Sequence, residues 1–450
     1  MSFVELKSAL SLTLVFMLRM LGLFMVLPVL ALFAEDLQGA SPATIGLAIG
    51  AYGFTQALLQ IPFGWLSDRF GRKPVIFVGL LIFLLGSLVA ANADSIQGII
   101  TGRILQGAGA IAGAVTALLA DLTRDQHRTK AMAMIGMGIG LAFCIAMVLG
   151  PLISGQWGLS GLFLSNAAMA VSAMIVLFLL VPTPVQSRRD LNCAVKVEGF
   201  KGVFANTQLI RHIVGIFSLH FVLMALFVMV PGLIESSAGL APSEHGWVYL
   251  VVMVGSLATI IPFIIYSEKH RQLKRCYSFA VSLLIIAFVL IYQGRVSSVV
   301  LYLGLFVFFA GFNFLEASLP SLVSKLSPAG TRGTAMGVYS TGQFLGAALG
   351  GGLGGLAMQH WGVAGVLILC TTPTALWWWL SVTMKQPPYV SSMVMALKPS
   401  EEGDAYTMSD QLAVIQGVRE VTVLAEERTA YLKVDKHSLD WSALKRFGEC

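Results

Sequence analysis

The chain has 450 residues and a formal net charge of +6, with 56% hydrophobic and 12% charged residues. A soluble domain carries about 25% charged residues, and a soluble chain of this length could not keep so much apolar surface dry. The composition therefore excludes a wholly water-soluble protein, and the confinement of the bases to particular loops argues against nucleic acid as a partner.

The apolar runs are about 18–25 residues long and do not alternate, so they predict membrane-spanning helices rather than barrel strands. Twelve spans are expected, at about 11–34, 44–66, 75–93, 96–121, 129–153, 159–182, 210–237, 244–267, 274–293, 296–324, 331–358 and 361–384. The first is too long for a cleavable signal, and no small-residue cleavage site follows it. Seventeen Lys and Arg fall in the loops after the even-numbered spans, and one, Arg295, falls in the alternate loops. That bias places both termini in the cytoplasm. The five cysteines, Cys144, Cys193, Cys276, Cys370 and Cys450, are scattered singly, so neither a disulfide framework nor a thiolate metal site is expected.

In chain order, Arg19 is the first charge set deep in a span. Between spans 2 and 3 comes Gly64-Trp65-Leu66-Ser67-Asp68-Arg69-Phe70-Gly71-Arg72-Lys73-Pro74. It packs one acid, three bases and two glycines into a short turn at the membrane surface. Arg103-Ile104-Leu105-Gln106-Gly107-Ala108-Gly109 lies in span 4, which ends near Asp121. Span 5 holds Ala146-Met147-Val148-Leu149-Gly150-Pro151-Leu152-Ile153-Ser154-Gly155. The polar stretch at 183–209 divides the membrane part into six spans plus six.

The two halves repeat at an offset of two hundred residues. Gly39, Pro42 and Gly46 recur as Gly239, Pro242 and Gly246. Ile61-Pro62-Phe63 recurs as Ile261-Pro262-Phe263, and Ser67-Asp68-Arg69 as Ser267-Glu268-Lys269. The second copy of the basic turn has lost both glycines, which are Ile264 and Arg271 there. Parallel halves of this kind place a substrate site between them, near the midplane.

His220 in span 7 and Glu316 in span 10 are expected at matching depth. A charge at the bilayer centre costs about 2.5–3.5 kcal/mol on the lenient scale. Arg19, Arg103 and Glu316 should therefore face the bundle interior or a wet cavity. Glu316, with His220 as a candidate partner, is the expected proton site, since carboxyl and imidazole groups take up and release protons in such places. The competing readings are a satisfied core histidine at 220 and a local pairing of Glu316 with Asn313. Gly346, Gly350, Gly351, Gly352, Gly354 and Gly355 put small residues along span 11, where helices can approach closely. No Gly-Lys-Ser/Thr follows them, so a phosphate-binding loop is excluded. Trp377-Trp378-Trp379 is expected as an interfacial anchor.

After Lys385 the composition turns soluble. Val390–Ala396 reads as a strand, Gly403–Ile415 as a helix, Val418–Leu424 and Ala430–Val434 as a hairpin around Glu426-Glu427-Arg428, and Leu439–Phe447 as a helix. This βαββα order is a ferredoxin-like pattern without a clear last strand. Heavy-metal domains share the pattern, but His437 and Cys450 are not a metal pair. Docking on the membrane part, self-association or small-ligand sensing is the expected role.

The turn at 64–74 resembles, position by position, the signature loop of the major facilitator superfamily: Gly64, Asp68, Arg69, Gly71, Arg72 and Lys73 fill all six places. Residues 103–109 resemble its Arg–Gln–Gly–x–Gly motif. Residues 146–155 resemble the Gly-Pro motif of its antiporters, with Gly150, Pro151 and Gly155 in place and Ala146 and Ser154 as departures. The segments around Lys325 to Gly330, Gly333 to Ser340 and Pro387 to Ser392 resemble the subfamily of YajR-type exporters, which carry such a C-terminal domain. The resemblance implies an all-α membrane fold of twelve helices in two six-helix pseudo-repeats plus a small α+β domain. The units would be 1–182, a cytoplasmic linker at 183–209, 210–385, and a cytoplasmic domain at 386–450. It further implies that Asp68 docks on the start of span 11, Gly333-Thr334-Ala335-Met336, in the outward-open state, and that Arg72 bridges to Asp121. A helix start offers unpaired N–H groups and about half a positive charge to such a carboxylate.

The expected function is a non-enzymatic, proton-coupled antiporter exporting a small amphipathic compound, driven by the proton gradient and needing no cofactor or metal. An importer or symporter on the same scaffold, and a membrane sensor that does not transport, are the alternatives.

Overall fold

The computed structural model describes residues 1–183, 197–327, 332–387, 391–397, 405–424, 429–435 and 438–449. The bases Arg188, Arg189 and Lys196, the cysteine Cys193, the segments 328–330 and 388–390, the turn 426–428, and His437 and Cys450 lie outside the described residues.

Helix α1 (Phe3–Met25) opens on a capping box, in which Glu5 N–H donates to the Ser2 hydroxyl and Ser2 N–H to the Glu5 carboxylate. It bends into α2 (Leu27–Phe33), where Pro28 lacks the amide that would continue the ladder. Helices α3 (Pro42–Phe70) and α4 (Arg72–Ala91) follow, separated by Gly71. Helix α5 (Ile96–Ala108) breaks before α6 (Ala112–Asp121), and α7 (Asp125–Leu179) is two helices meeting at a kink at Gly158. The second half repeats the plan with α9 (Thr207–Ala238), α10 (His245–Lys269), α11 (Leu273–Gln293), α12 (Ser298–Leu326) and α13 (Arg332–Val382). Before it, α8 (Val197–Ala205) lies within the polar connection. Gly362 kinks α13 with φ +58°, as Gly158 kinks α7 with φ +63°. Each follows a tryptophan and holds backbone that only glycine adopts freely.

Among the described residues, ten helical runs are long and apolar enough to cross a membrane. The runs Lys130–Leu179 and Gly333–Val382 have 50 residues each. At 1.5 Å per residue each is about 75 Å long, more than twice a hydrocarbon core of about 30 Å.

The two halves meet most closely between α3 and α13. A methyl added at Gly46 or Gly50 would lie 2.4 Å from the carbonyl oxygen of Gly351 or Ala348, respectively. The opposite side of α13 packs on α9, where methyls at Gly346 and Gly350 would lie 2.2 and 2.1 Å from the Phe217 and Phe221 carbonyls. The span-11 glycines thus serve two interfaces. The α3–α13 contact is near the face opposite the termini, as are the contacts of Gly155 with Ser243 and of Gly246 with Val148.

The C-terminal sheet has the order β2-β3-β1-β4, from β1 (Ser391–Leu397), β2 (Val418–Leu424), β3 (Thr429–Val434) and β4 (Gly448–Glu449). All its pairings are antiparallel. The two-residue β4, pairing with Ala396 and Leu397, corrects the expectation that no last strand follows. It escaped the sequence because two residues show no alternation. Helices α14 (Ala405–Ala413) and α15 (Trp441–Leu444) supply Leu412 and Leu444 to a core with Met395, Ala430, Leu432 and Val434.

Candidate functional site

The turn between α3 and α4 is held by charge. Gly71, at φ +94°, lets the chain leave one helix and enter the next. Arg72 then points back to Ser67 at 2.7 Å, to the Asp68 carboxylate, and to Asp121 at 3.3 Å. Asp121 closes α6, so the arginine ties the turn to the broken fourth span. Lys73 Nζ donates to the Val181 carbonyl at 2.7 Å, capping the end of α7. Arg69 stacks over Trp65 and Phe70 at 5.6 Å each. A methyl at Gly64 would meet open space. Asp68 does not reach Gly333, Thr334, Ala335 or Met336: among the described residues, its carboxylate bonds to Arg72. The pinned ends of α3 and α13 are the opposite ones.

The buried charges divide between the halves. Arg19 Nη2 donates to Gln56 and to the Gly109 carbonyl, both at 2.7 Å. Gly109 lies in the break between α5 and α6, where its carbonyl accepts the Ile111 amide of the turn at 2.9 Å and Arg19 as a second donor. Arg103 donates to Gln106 at 2.9 Å and to the Ala48 carbonyl at 3.4 Å. The two guanidiniums flank one ring, Tyr52, at 5.7 and 4.9 Å. All of these partners belong to the first half.

In the second half, Glu316 Oε2 lies 3.9 Å from His220 Nε2. That is longer than a hydrogen bond. The Gln343 side-chain amide takes the same imidazole nitrogen at 2.8 Å. Glu316 Oε2, His220 Nδ1 and the Tyr339 hydroxyl have no hydrogen-bond partner among the described residues. Yet the Glu316 side chain is 34% exposed. Asn313 is not its local partner, because the Asn313 amide donates to Ser256 at 3.0 Å. One turn before Glu316, Phe312 stacks against Phe143 of the first half at 5.9 Å, and Phe143 meets Phe24 edge-on at 5.0 Å. This aromatic layer lies on the side of Glu316 away from the termini.

The profile of the Major Facilitator Superfamily matches residues 12–231 and 212–406. The chain belongs to the major facilitator superfamily. The inner membrane transport protein YajR of Escherichia coli is 47% identical over 421 residues, 94% of this chain and 92% of that protein. The multidrug resistance protein MdtH of Aeromonas salmonicida is 29% identical, over 77% of this chain and 86% of that protein. Among solved structures, the D-xylose-proton symporter superposes with a TM-score of 0.66 at 16% identity, over 84% of this chain and 96% of that one. The protein is thus a multi-pass membrane transporter of the YajR type.

Within this superfamily fold, the Gly-Pro segment is a packing device. A methyl at Gly150 would lie 2.5 Å from the Met25 carbonyl, and one at Gly155 would lie 2.7 Å from Ser243 Cβ of the other half. Pro151 removes an amide from the α7 ladder, and the Ser154 hydroxyl donates to the Gly150 carbonyl at 2.8 Å. Trp378 and Trp379 are exposed, as anchors would be. Trp377 instead is buried and donates to the Tyr277 hydroxyl at 2.9 Å. Three residues near the charges escaped the sequence reading: Tyr52, Tyr339 and Gln343. The last two are four apart, on one face of a helix otherwise rich in glycine, which is the signal that could have found them.

Proposed function

We propose that this chain is a proton-coupled secondary active transporter that exports a small amphipathic compound by alternating access, exchanging it for protons. The observation that carries the reading is Glu316. Its side chain is partly exposed, its buried Oε2 has no hydrogen-bond partner among the described residues, it lies close to His220, and the Phe312–Phe143 stack between the halves is one turn away. In this reading Glu316 takes a proton when the far mouth opens and yields it when the near mouth opens. His220 exchanges Gln343 for Glu316 as the carboxyl changes charge. The kinks at Gly158 and Gly362 make twelve crossings of ten helical runs. The basic loops put both termini in the cytoplasm, and the sheet order is that of a ferredoxin-like domain. The name of the MdtH relative, a multidrug resistance protein, favours export.

The energetics suffice. One charge moving down 100 mV supplies about 2.3 kcal/mol, and a tenfold substrate gradient costs about 1.4 kcal/mol. One proton per cycle therefore supports somewhat more than a tenfold gradient before any pH difference is added. The test is proton release or uptake when candidate compounds are added to reconstituted protein. Substrate-linked proton movement should occur in the wild type and disappear in Glu316→Gln. Coupled transport undiminished in that variant would overturn the proposal. The sign of substrate movement when the proton gradient is collapsed separates antiport from symport.

A further inference from the structure

The turn between α10 and α11 is the second copy of the signature turn, and it is built differently. Gly71 of the first copy has φ +94°, while Arg271 in the matching place has φ +52°. Arginine, unlike glycine, adopts left-handed backbone only at a steric cost. The fold has kept the bend and lost the residue that takes it freely. Contacts from the C-terminal part meet this residue on both its groups. Arg271 Nη2 lies 3.5 Å from Asp435, next to the end of β3, and the Arg271 carbonyl accepts from the Gln386 side-chain amide at 2.9 Å.

A second grip lies at the end of α12. Lys433 Nζ donates to the Ser327 carbonyl at 2.5 Å, and also holds Glu420 at 2.6 Å. Ser327 is the C-cap of α12, where a helix end carries partial negative charge. Lys433 alternates along β3 with the core residues Leu432 and Val434, so it stands on the sheet face away from the domain's own core. It is nevertheless only 9% exposed. The acceptor beneath it belongs to the membrane part. On the other side β1 lies against α7, in the first half. The domain therefore touches both halves on the face of the termini, while the opposite face is closed by the α3–α13 glycine contacts.

We propose that the second signature turn has become the receptor for the C-terminal domain, and that the docked domain is a wedge favouring the state in which the opposite mouth is shut. Ser327 lies five residues before α13 begins. The domain thus grips the end of α12, close in sequence to the helix start on which the Asp68 catch would close. Undocking frees that end of α12 and lets the near ends of the halves come together.

The test uses the full chain with its five cysteines replaced. Spin labels at Phe70→Cys and Ser321→Cys report the gap between the halves. A separate pair at Arg275→Cys and Trp441→Cys reports docking of the domain. Combined Arg271→Gly and Lys433→Met should broaden the docking distance and raise the short-gap population at least twofold. If that variant does not fold, Asp435→Asn, at the rim of the contact, should move both readings in the same direction by less. A released domain with an unchanged gap distribution would overturn the wedge. A domain that stays docked without these contacts would overturn the receptor assignment.

Discussion

The two halves share a plan and handle buried charge in opposite ways. The first half holds two guanidiniums, Arg19 and Arg103, and meets them with fixed acceptors: the Gln56 and Gln106 side chains and the Gly109 and Ala48 carbonyls. Neither pairs with a carboxylate among the described residues: the break between α5 and α6 offers Arg19 a backbone oxygen, Arg103 takes the Ala48 carbonyl of α3, and neither is exposed. The second half holds a carboxyl and an imidazole, 3.9 Å apart, with polar atoms left bare and an opening to one side. Arg19 too is met only at Nη2, its Nε and Nη1 having no hydrogen-bond partner among the described residues, but a guanidinium keeps its proton whatever its partners, whereas a carboxyl with alternative partners can change charge. On the proposed reading the first half is scaffold, and proton chemistry belongs to the second.

The largest break in that comparison would come from Glu316→Gln, which should reduce substrate-linked proton movement to background while leaving the protein folded. Next is Arg19→Ala. It leaves the Gln56 side-chain oxygen bare, at about 1–3 kcal/mol, while the Gly109 carbonyl keeps the Ile111 amide, so a fall in melting temperature is expected. Loss of transport at an unchanged melting temperature would mean that the first half also carries chemistry. Gly158→Ala and Gly362→Ala sharpen the symmetry. Each forces a side chain into glycine-only backbone at about 1–3 kcal/mol, so the two should destabilise alike. A strongly unequal pair would show that the kinks are not equivalent.

A smaller effect should come from Asp68→Asn. Helix-end attraction is worth roughly 0.3–2 kcal/mol, so transport at normal abundance should fall from slightly to about thirtyfold. Undiminished transport would remove the catch. Glu268→Gln is the matching change in the second half. There Glu268 pairs with Lys325 at 3.2 Å, and a smaller effect is expected because the attached domain also holds that end of the half.

Much of this molecule was legible in its sequence. Apolar length marked the helical runs, the two-hundred-residue offset marked the repeat, and alternation placed β2 at Val418–Leu424. These signals are local or periodic, and desolvation of backbone in lipid leaves helices few alternatives. The resemblance of the turn to the superfamily's signature loop also implied that Arg72 bridges to Asp121, as it does here. It could not say which partner Asp68 holds in a given state, since that depends on the tilt of one half against the other.

What tertiary structure alone decided were the meetings between distant segments. Arg19 turns to Gly109, ninety residues away, because a helix breaks there. Gln343 takes the imidazole nitrogen that Glu316 was expected to hold, and Lys433 seats on Ser327. A sequence determines which residues must leave water, because hydropathy is a property of each residue and its near neighbours. Which acceptor a buried charge finds is settled by how helices pack across the bundle, and no local pattern encodes that.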